Sequence, residues 1–140
     1  MGVWGIGPFD NDDAIDFAYE LLASADLTPA RAALAATTDT DGWLEVPEGS
    51  RALAAAAVVV AAFSGEVIRL PEDVAAWLEA HADAATLADA RLAMDALLRI
   101  ASQDSELREV RLAGAEAPAW VDQVSRMGFH LGRMIGDETS

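Results

Sequence analysis

The 140-residue sequence contains no cysteine and no lysine, so arginine supplies all nine of its formal positive charges. Without cysteine the chain has no disulfide framework, no thiolate zinc site and no cysteine nucleophile. Without lysine it has neither the lysine of a phosphate-binding loop nor an amine for Schiff-base chemistry. The net charge of -15 argues against nucleic-acid and anionic-membrane partners, because binding to either requires a basic surface.

Long hydrophobic runs are also scarce. The longest is the twelve residues Ala52–Phe63, whereas a helix that spans a bilayer needs about 20. The first basic residue is Arg31, so the N-terminus lacks the basic start of a secretory signal. Ile6 stands where a myristoylation signal requires Ser or Thr. We therefore expect a soluble, cytoplasmic protein.

The hydrophobic pattern predicts helices. Hydrophobic residues make up 53% of the chain, which is enough for a packed core, and the length suits one domain. The run 52–63 is apolar on every side, and a helix without a polar face must be surrounded by others. Its three valines also allow a short buried strand, but the flanking alanines favour a helix. We predict an all-α single domain over 1–140, with six to seven helices packed around this central Ala/Val helix.

Capping residues predict where the helices begin and end. The first helix is expected to have Asp10 as its N-cap, and the second to have Thr28 as N-cap followed by Pro29. The central helix is expected to span about 48–64 and to stop at Gly65. The last residues, 136–140, are expected to fray. Further helix starts are predicted at Leu70–Asp73, near Leu87, at Asp104–Leu107 and at Pro118.

Residues 1–9 are predicted to form an ordered arm that is not helical, because they combine three glycines with Pro8. Two interpretations of its aromatic rings are open. Trp4 and Phe9 could fill a groove between helices, or they could form an exposed recognition patch beside carboxylates. The first is favoured, because exposed rings would leave a large apolar area in water.

Acidic residues are concentrated at the N-terminal end, where residues 1–50 contain ten acids and one arginine. The densest cluster comprises Asp10, Asp12, Asp13 and Asp16. Converging carboxylates bind hard cations, but Asp12 and Asp16 share a helix face from which Asp13 is turned away. Capping and the helix dipole account for the first three. Capping is therefore favoured over a metal site for this cluster, and we predict no cofactor. The acidic end as a whole has two interpretations: solvated helix faces that aid solubility, which is the favoured one, or a surface that attracts a basic protein partner.

Residues 37–48 invite comparison with a calcium-binding loop, whose ligands occupy positions 1, 3, 5 and 12 around a glycine at position 6. Asp39, Asp41, Gly42 and Glu48 occupy positions 3, 5, 6 and 12. Position 1 is Thr37, which removes one charged ligand, and Asp-Gly is also an ordinary turn signal. Asp39, Asp41 and Glu48 are therefore weak metal candidates.

Catalytic groups are few. His81 shares a helix face with Trp77 near a helix end, where a packed or capping role is expected. His130 has no evident partner, and no nucleophile motif is present. We therefore expect a protein without enzymatic activity.

The opening segment 1–14 resembles a bacterial family catalogued as domain of unknown function 4259, whose members begin with Trp-Gly-x-Gly-x-Phe followed by acids. The resemblance continues at Asp41–Glu45, at Leu70–Asp73 with Trp77, and at Asp104–Leu107. Two departures stand out. The family often has an acid near Ala57, and it often has Trp-Glu-Glu where this chain has Arg111–Ala113. The resemblance implies a small bacterial helical domain and no particular activity.

The leading hypothesis is an acidic, non-enzymatic module that binds a basic protein in the manner of an immunity or antitoxin-type inhibitor. Such a protein acts by charge complementarity and needs no catalytic group. The alternatives are a metal-binding or hydrolytic protein that uses the N-terminal carboxylates, and a structural or oligomer-forming domain.

Overall fold

The computed structural model describes residues 5, 7–64, 70–81 and 85–139. Within these residues the chain forms seven α-helices and no strand, which confirms the predicted all-α fold. The helices are α1 (Asp12–Leu22), α2 (Thr28–Thr38), α3 (Val46–Ser64), α4 (Glu72–His81), α5 (Leu87–Ile100), α6 (Glu106–Leu112) and α7 (Ala117–Thr139).

Helix α3 lies at the centre of the bundle. Every residue from Ala52 to Ala61 is buried, and each of the other six helices contacts α3. By length and composition it is the one helix of the described residues that could cross a membrane, but 67% of its window Val46–Phe63 is buried inside the protein. The structure therefore confirms the central apolar helix, whose small alanine side chains let its neighbours approach closely.

The first helix begins one residue later than predicted and the second one residue earlier. Asn11, not Asp10, is the N-cap of α1, and its Oδ1 accepts the Ala14 N–H at 2.8 Å. Thr28 is the first helical residue of α2 and not its N-cap, which is Leu27. The side chain of Asp26 accepts the Thr28 N–H at 2.9 Å. Hydrogen bonds from Thr28 hold the pKa of Asp26 below its usual value.

Helix α3 begins at Val46, two residues before the predicted start. Its first N–H donates to the carboxylate of Glu106 at 2.9 Å, a cap supplied from a distant part of the chain. The predicted stop at Gly65 lies outside the described residues. The backbone of α7 is helical up to Thr139, and thus through most of the tail 136–140. Fraying of this tail stays a prediction.

An ion pair between the partly exposed Arg31 and the buried Asp89 joins α2 to α5. Arg31 Nε donates to Asp89 Oδ1 at 2.7 Å, and Nη2 donates to Oδ2 at 3.0 Å. Asp89 also accepts the Thr86 N–H at 2.9 Å and so completes the capping box of α5. Burial acts to raise the pKa of Asp89, but the hydrogen bonds from Arg31 and Thr86 outweigh it and the pKa is lowered.

This lowered pKa predicts acid sensitivity. A carboxyl with a folded-state pKa below its unfolded value stabilises the fold above the unfolded pKa of about 3.9 and loses that contribution as the pH falls. Asp89→Asn should therefore cost about 1–3 kcal/mol near pH 7, toward the lower end because the Arg31 side chain is 39% exposed. The cost should shrink as the pH drops below about 4.

Urea unfolding of the parent protein and of Asp89→Asn at a series of pH values measures the difference in their free energies of unfolding. The matched control is Asp95→Asn, which neutralises an exposed carboxylate of the same helix and should change little at any pH. A difference between Asp89→Asn and the parent that is constant down to pH 2 would show that the ion pair does not stabilise the fold.

Candidate functional site

The Gly-rich opening motif folds back on the carboxylate of Asp10. The Asp10 N–H donates to the Gly7 carbonyl oxygen at 3.0 Å, and the Gly7 N–H donates to Asp10 Oδ2 at 3.0 Å. A Cβ atom would lie 2.6 Å from Oδ2 at Gly5 and 2.7 Å from it at Gly7. A side chain at either position would collide with the carboxylate, so both positions require glycine. Asp10 closes this turn and therefore has a structural role.

The arm carries Phe9 into the core, where the residue is 6% exposed. Its burial favours the groove-filling interpretation over the recognition patch for this ring. Trp4, the other aromatic residue of that prediction, lies outside the described residues. The described residues of the arm, Gly5 and 7–9, are not helical, as expected.

The other three members of the predicted acid cluster separate into two environments. Asp12 and Asp16 are exposed, whereas Asp13 is half-buried, as their spacing predicted. Glu20 continues the exposed row one turn beyond Asp16, and we call Asp12, Asp16 and Glu20 the acidic stripe of α1. Beside it, Tyr19 is 66% exposed. Tyr19 was not among the predicted site residues, because its position in the helical pattern does not distinguish an exposed ring from a packed one.

None of the ten acids in residues 1–50 is buried; two, Asp10 and Asp13, are half-buried and the rest are exposed. Glu20 forms an ion pair with Arg51 across 2.7 Å. The single arginine of this segment, Arg31, forms its ion pair with Asp89, and its charge also acts on Asp26. The N-terminal third of the chain therefore presents a surface on which negative charge is largely uncompensated.

The calcium-loop candidates do not gather into a metal site. Among the described residues no group of three or more His, Asp or Glu could hold a metal ion. Thr37 at position 1 is buried, and its hydroxyl donates to the Glu48 carbonyl oxygen at 3.2 Å. Asp39, Asp41 and Glu48 all face solvent.

A cation does bind the carbonyl oxygens of this loop, but it is the guanidinium of Arg99. Its Nε donates to the Thr40 carbonyl oxygen at 3.4 Å and its Nη2 donates to that of Gly42. Gly42 has a φ of 74°, in the left-handed region that glycine adopts most easily. The loop is therefore a structural turn closed by an arginine.

The same loop pairs with the segment that precedes α6. The Leu44 N–H donates to the Asp104 carbonyl oxygen and the Glu106 N–H to that of Leu44, both at 2.8 Å, which forms an isolated parallel bridge between Leu44 and Ser105. Gly49 also lies against Leu107. A Cβ atom added at Gly49 would be 3.3 Å from the Cβ of Leu107. Two of the segments that carry the family resemblance, 41–45 and 104–107, thus hold each other in place.

Histidine geometry gives no sign of acid–base chemistry. His81 stacks on Trp77 with ring centroids 4.2 Å apart, and its Nδ1 donates to the Trp77 carbonyl oxygen at 2.7 Å. This confirms a packed histidine at the end of α4. His130 contacts Phe129 edge-on, with centroids 5.6 Å apart.

The model of the family described as "Domain of unknown function (DUF4259)" matches residues 2–123. The chain belongs to this family. Neither the curated proteins nor the solved structures gave a match. In this DUF4259 chain the first departure, Ala57, is fully buried in α3, and the second begins at Arg111 in the last turn of α6.

The closed turn of this DUF4259 chain predicts a strong coupling between two positions. Gly7→Ala should displace the Asp10 carboxylate from its hydrogen bond, at a cost of about 1 kcal/mol, and Asp10→Ala should cost a similar amount. Because both changes remove the same contact, the double variant should cost no more than either one. Urea unfolding of the four proteins measures the coupling.

Gly128→Ala is the control, because a Cβ there meets nothing within 4 Å. In the interior of α7 it should stabilise the protein, by roughly 0.5–1 kcal/mol. Costs of Gly7→Ala and Asp10→Ala that simply add would contradict the turn described above.

Proposed function

We propose that this protein is a non-enzymatic, cytoplasmic bacterial module that binds a basic protein through its acidic N-terminal third, in the manner of an immunity or antitoxin-type inhibitor. The observation that carries the proposal is the surface position of all ten acids in residues 1–50, together with the engagement of their single arginine by Asp89. Such a surface attracts a positively charged partner and steers its approach.

Asp16 is the residue of the acidic stripe that folding explains least. Asp12 lies in the first turn of α1, where the helix dipole favours an acid, and Glu20 pairs with Arg51. Asp16 forms no ion pair or side-chain hydrogen bond with a described residue. Since like charges four residues apart destabilise a helix, the stripe lowers the stability of α1 instead of raising it. A role in binding accounts for the arrangement.

Tyr19 fits the same partner. An exposed phenol ring beside carboxylates can contact the guanidinium or ammonium group of a basic side chain by its face. Tyrosine is also enriched in protein interfaces, because it supplies a large contact area and a polar tip. The stripe and Tyr19 together would recognise arginine and lysine side chains and would block the site to which those side chains belong.

Two charge-neutralised variants test the proposal. Asp12→Asn/Asp16→Asn/Glu20→Gln removes three charges from the stripe, and Glu79→Gln/Asp95→Asn/Glu109→Gln removes three exposed charges elsewhere. The immobilised proteins are used to capture partners from a bacterial lysate at low and at high salt, and the captured proteins are identified and re-measured as purified components. The stripe variant should bind the partner roughly tenfold more weakly, since exposed ion pairs contribute about 0.2–1 kcal/mol each.

The two variants have the same net charge, so non-specific attraction would affect both equally. The second variant should keep the affinity of the parent, and binding of the parent should weaken with salt. Equal losses in the two variants, or binding that is indifferent to salt, would contradict the proposal.

A further inference from the structure

We propose that the cavity where α6 meets α7 binds a carboxylate group. The cavity has a volume of about 160 Å³ and lies between the last turn of α6, the connecting turn and the first turn of α7. This site is separate from the acidic stripe and does not depend on the function proposed above. Its lining comprises Val110, Arg111, Gly114, Ala115, Glu116 and Trp120.

Two buried donors of this lining have no acceptor. Trp120 is 2% exposed, and its indole N–H is without a hydrogen-bond partner among the described residues. The Nε–H of Arg111 is likewise buried and without a hydrogen-bond partner among the described residues. Buried donors are almost always satisfied, because leaving one unpaired costs the full free energy of its desolvation. Two of them on one small cavity indicate that an acceptor belongs there.

The charges around the cavity favour an anion as that acceptor. Arg111 forms no ion pair with any described acid, so its positive charge is not compensated by a side chain. The N-terminus of α7, the positive end of a 23-residue helix dipole, also lies at the cavity, and Glu116 stands directly before it. Glu116, the one acid of the lining, is exposed to solvent.

The lining also restricts the ligand. A carboxylate has two oxygens, each of which can accept an N–H bond, and arginine binds this group especially well. Val110, Ala115 and the Trp120 ring offer apolar contact to a short aliphatic group beside the carboxylate. The cavity is open to solvent on one side, so a small acid fits inside it and a longer chain can extend out of it. A small free acid and the C-terminal carboxylate of a peptide share this chemistry.

The Trp120 indole N–H is a direct reporter of binding. The chain has four tryptophans, so the indole region of a ¹⁵N–¹H NMR spectrum is simple, and Trp120→Phe assigns the signal. Titration with sodium propionate should move this signal in a saturable way. Propionamide, which lacks the charge, and sodium chloride at the same ionic strength should not move it.

Arg111→Gln should weaken propionate binding at least tenfold, as expected for the loss of a charged hydrogen bond. The half-buried Arg111 side chain can be replaced while the indole signal is kept as the readout. Arg108→Gln is the matched control, because it removes the same charge from α6 but does not line the cavity. It should leave the affinity within about twofold of the parent.

A second titration distinguishes the source of the carboxylate. Acetyl-Gly-Val with a free C-terminus is compared with its C-terminal amide. Tighter binding of the peptide acid than of propionate, with no binding of the amide, supports a peptide C-terminus as the ligand, and the reverse order supports a small free acid. An indole signal that neither acid moves, or equal weakening by Arg111→Gln and Arg108→Gln, overturns the proposal.

Discussion

Helix α3 has no polar face, and the rest of the structure is arranged to cover it. Alanine and valine bury little area each, so the volume around α3 is filled by larger side chains from its neighbours, among them Phe17, Leu34, Ile100 and Leu131. Six helices contact it, and each therefore turns one apolar face inward. Burial of α3 together with the apolar faces that cover it supplies hydrophobic free energy of folding.

The same arrangement decides where the charges lie. With α3 and its apolar neighbours filling the interior, the acids of the described residues lie at the surface, apart from Asp89, which is buried and paired with the partly exposed Arg31. The resulting surface is strongly negative in the first third of the chain, and among the described residues it has no group of three or more His, Asp or Glu that could hold a metal ion. In the function that we propose, the protein binds a basic partner, and Asp16 and the exposed Tyr19 mark the part of α1 where that binding would take place.

The sequence predicts those features that depend on local pattern. The unbroken apolar run from Ala52 to Phe63 identifies the central helix, and the four-residue spacing of Asp12 and Asp16 places them on one exposed face. It does not predict contacts that depend on the tertiary fold. The carboxylate of Glu106 caps Val46 across 60 residues of chain, and Arg99 binds the Gly42 carbonyl oxygen across 57. The unsatisfied indole N–H of Trp120 could not be predicted from the sequence either, because a donor is unsatisfied only when the fold places no acceptor within hydrogen-bond distance of it.

Hydrogen exchange of the α3 amides tests the enclosure of this helix most directly. If α3 is covered on every side, the amides of Ala52–Ala61 should exchange only when the whole domain unfolds, so they should be the slowest in the protein and should show the full denaturant dependence of global unfolding. Exchange of these amides by local opening, at rates like those of the exposed residues of α7 and without that denaturant dependence, would contradict the account.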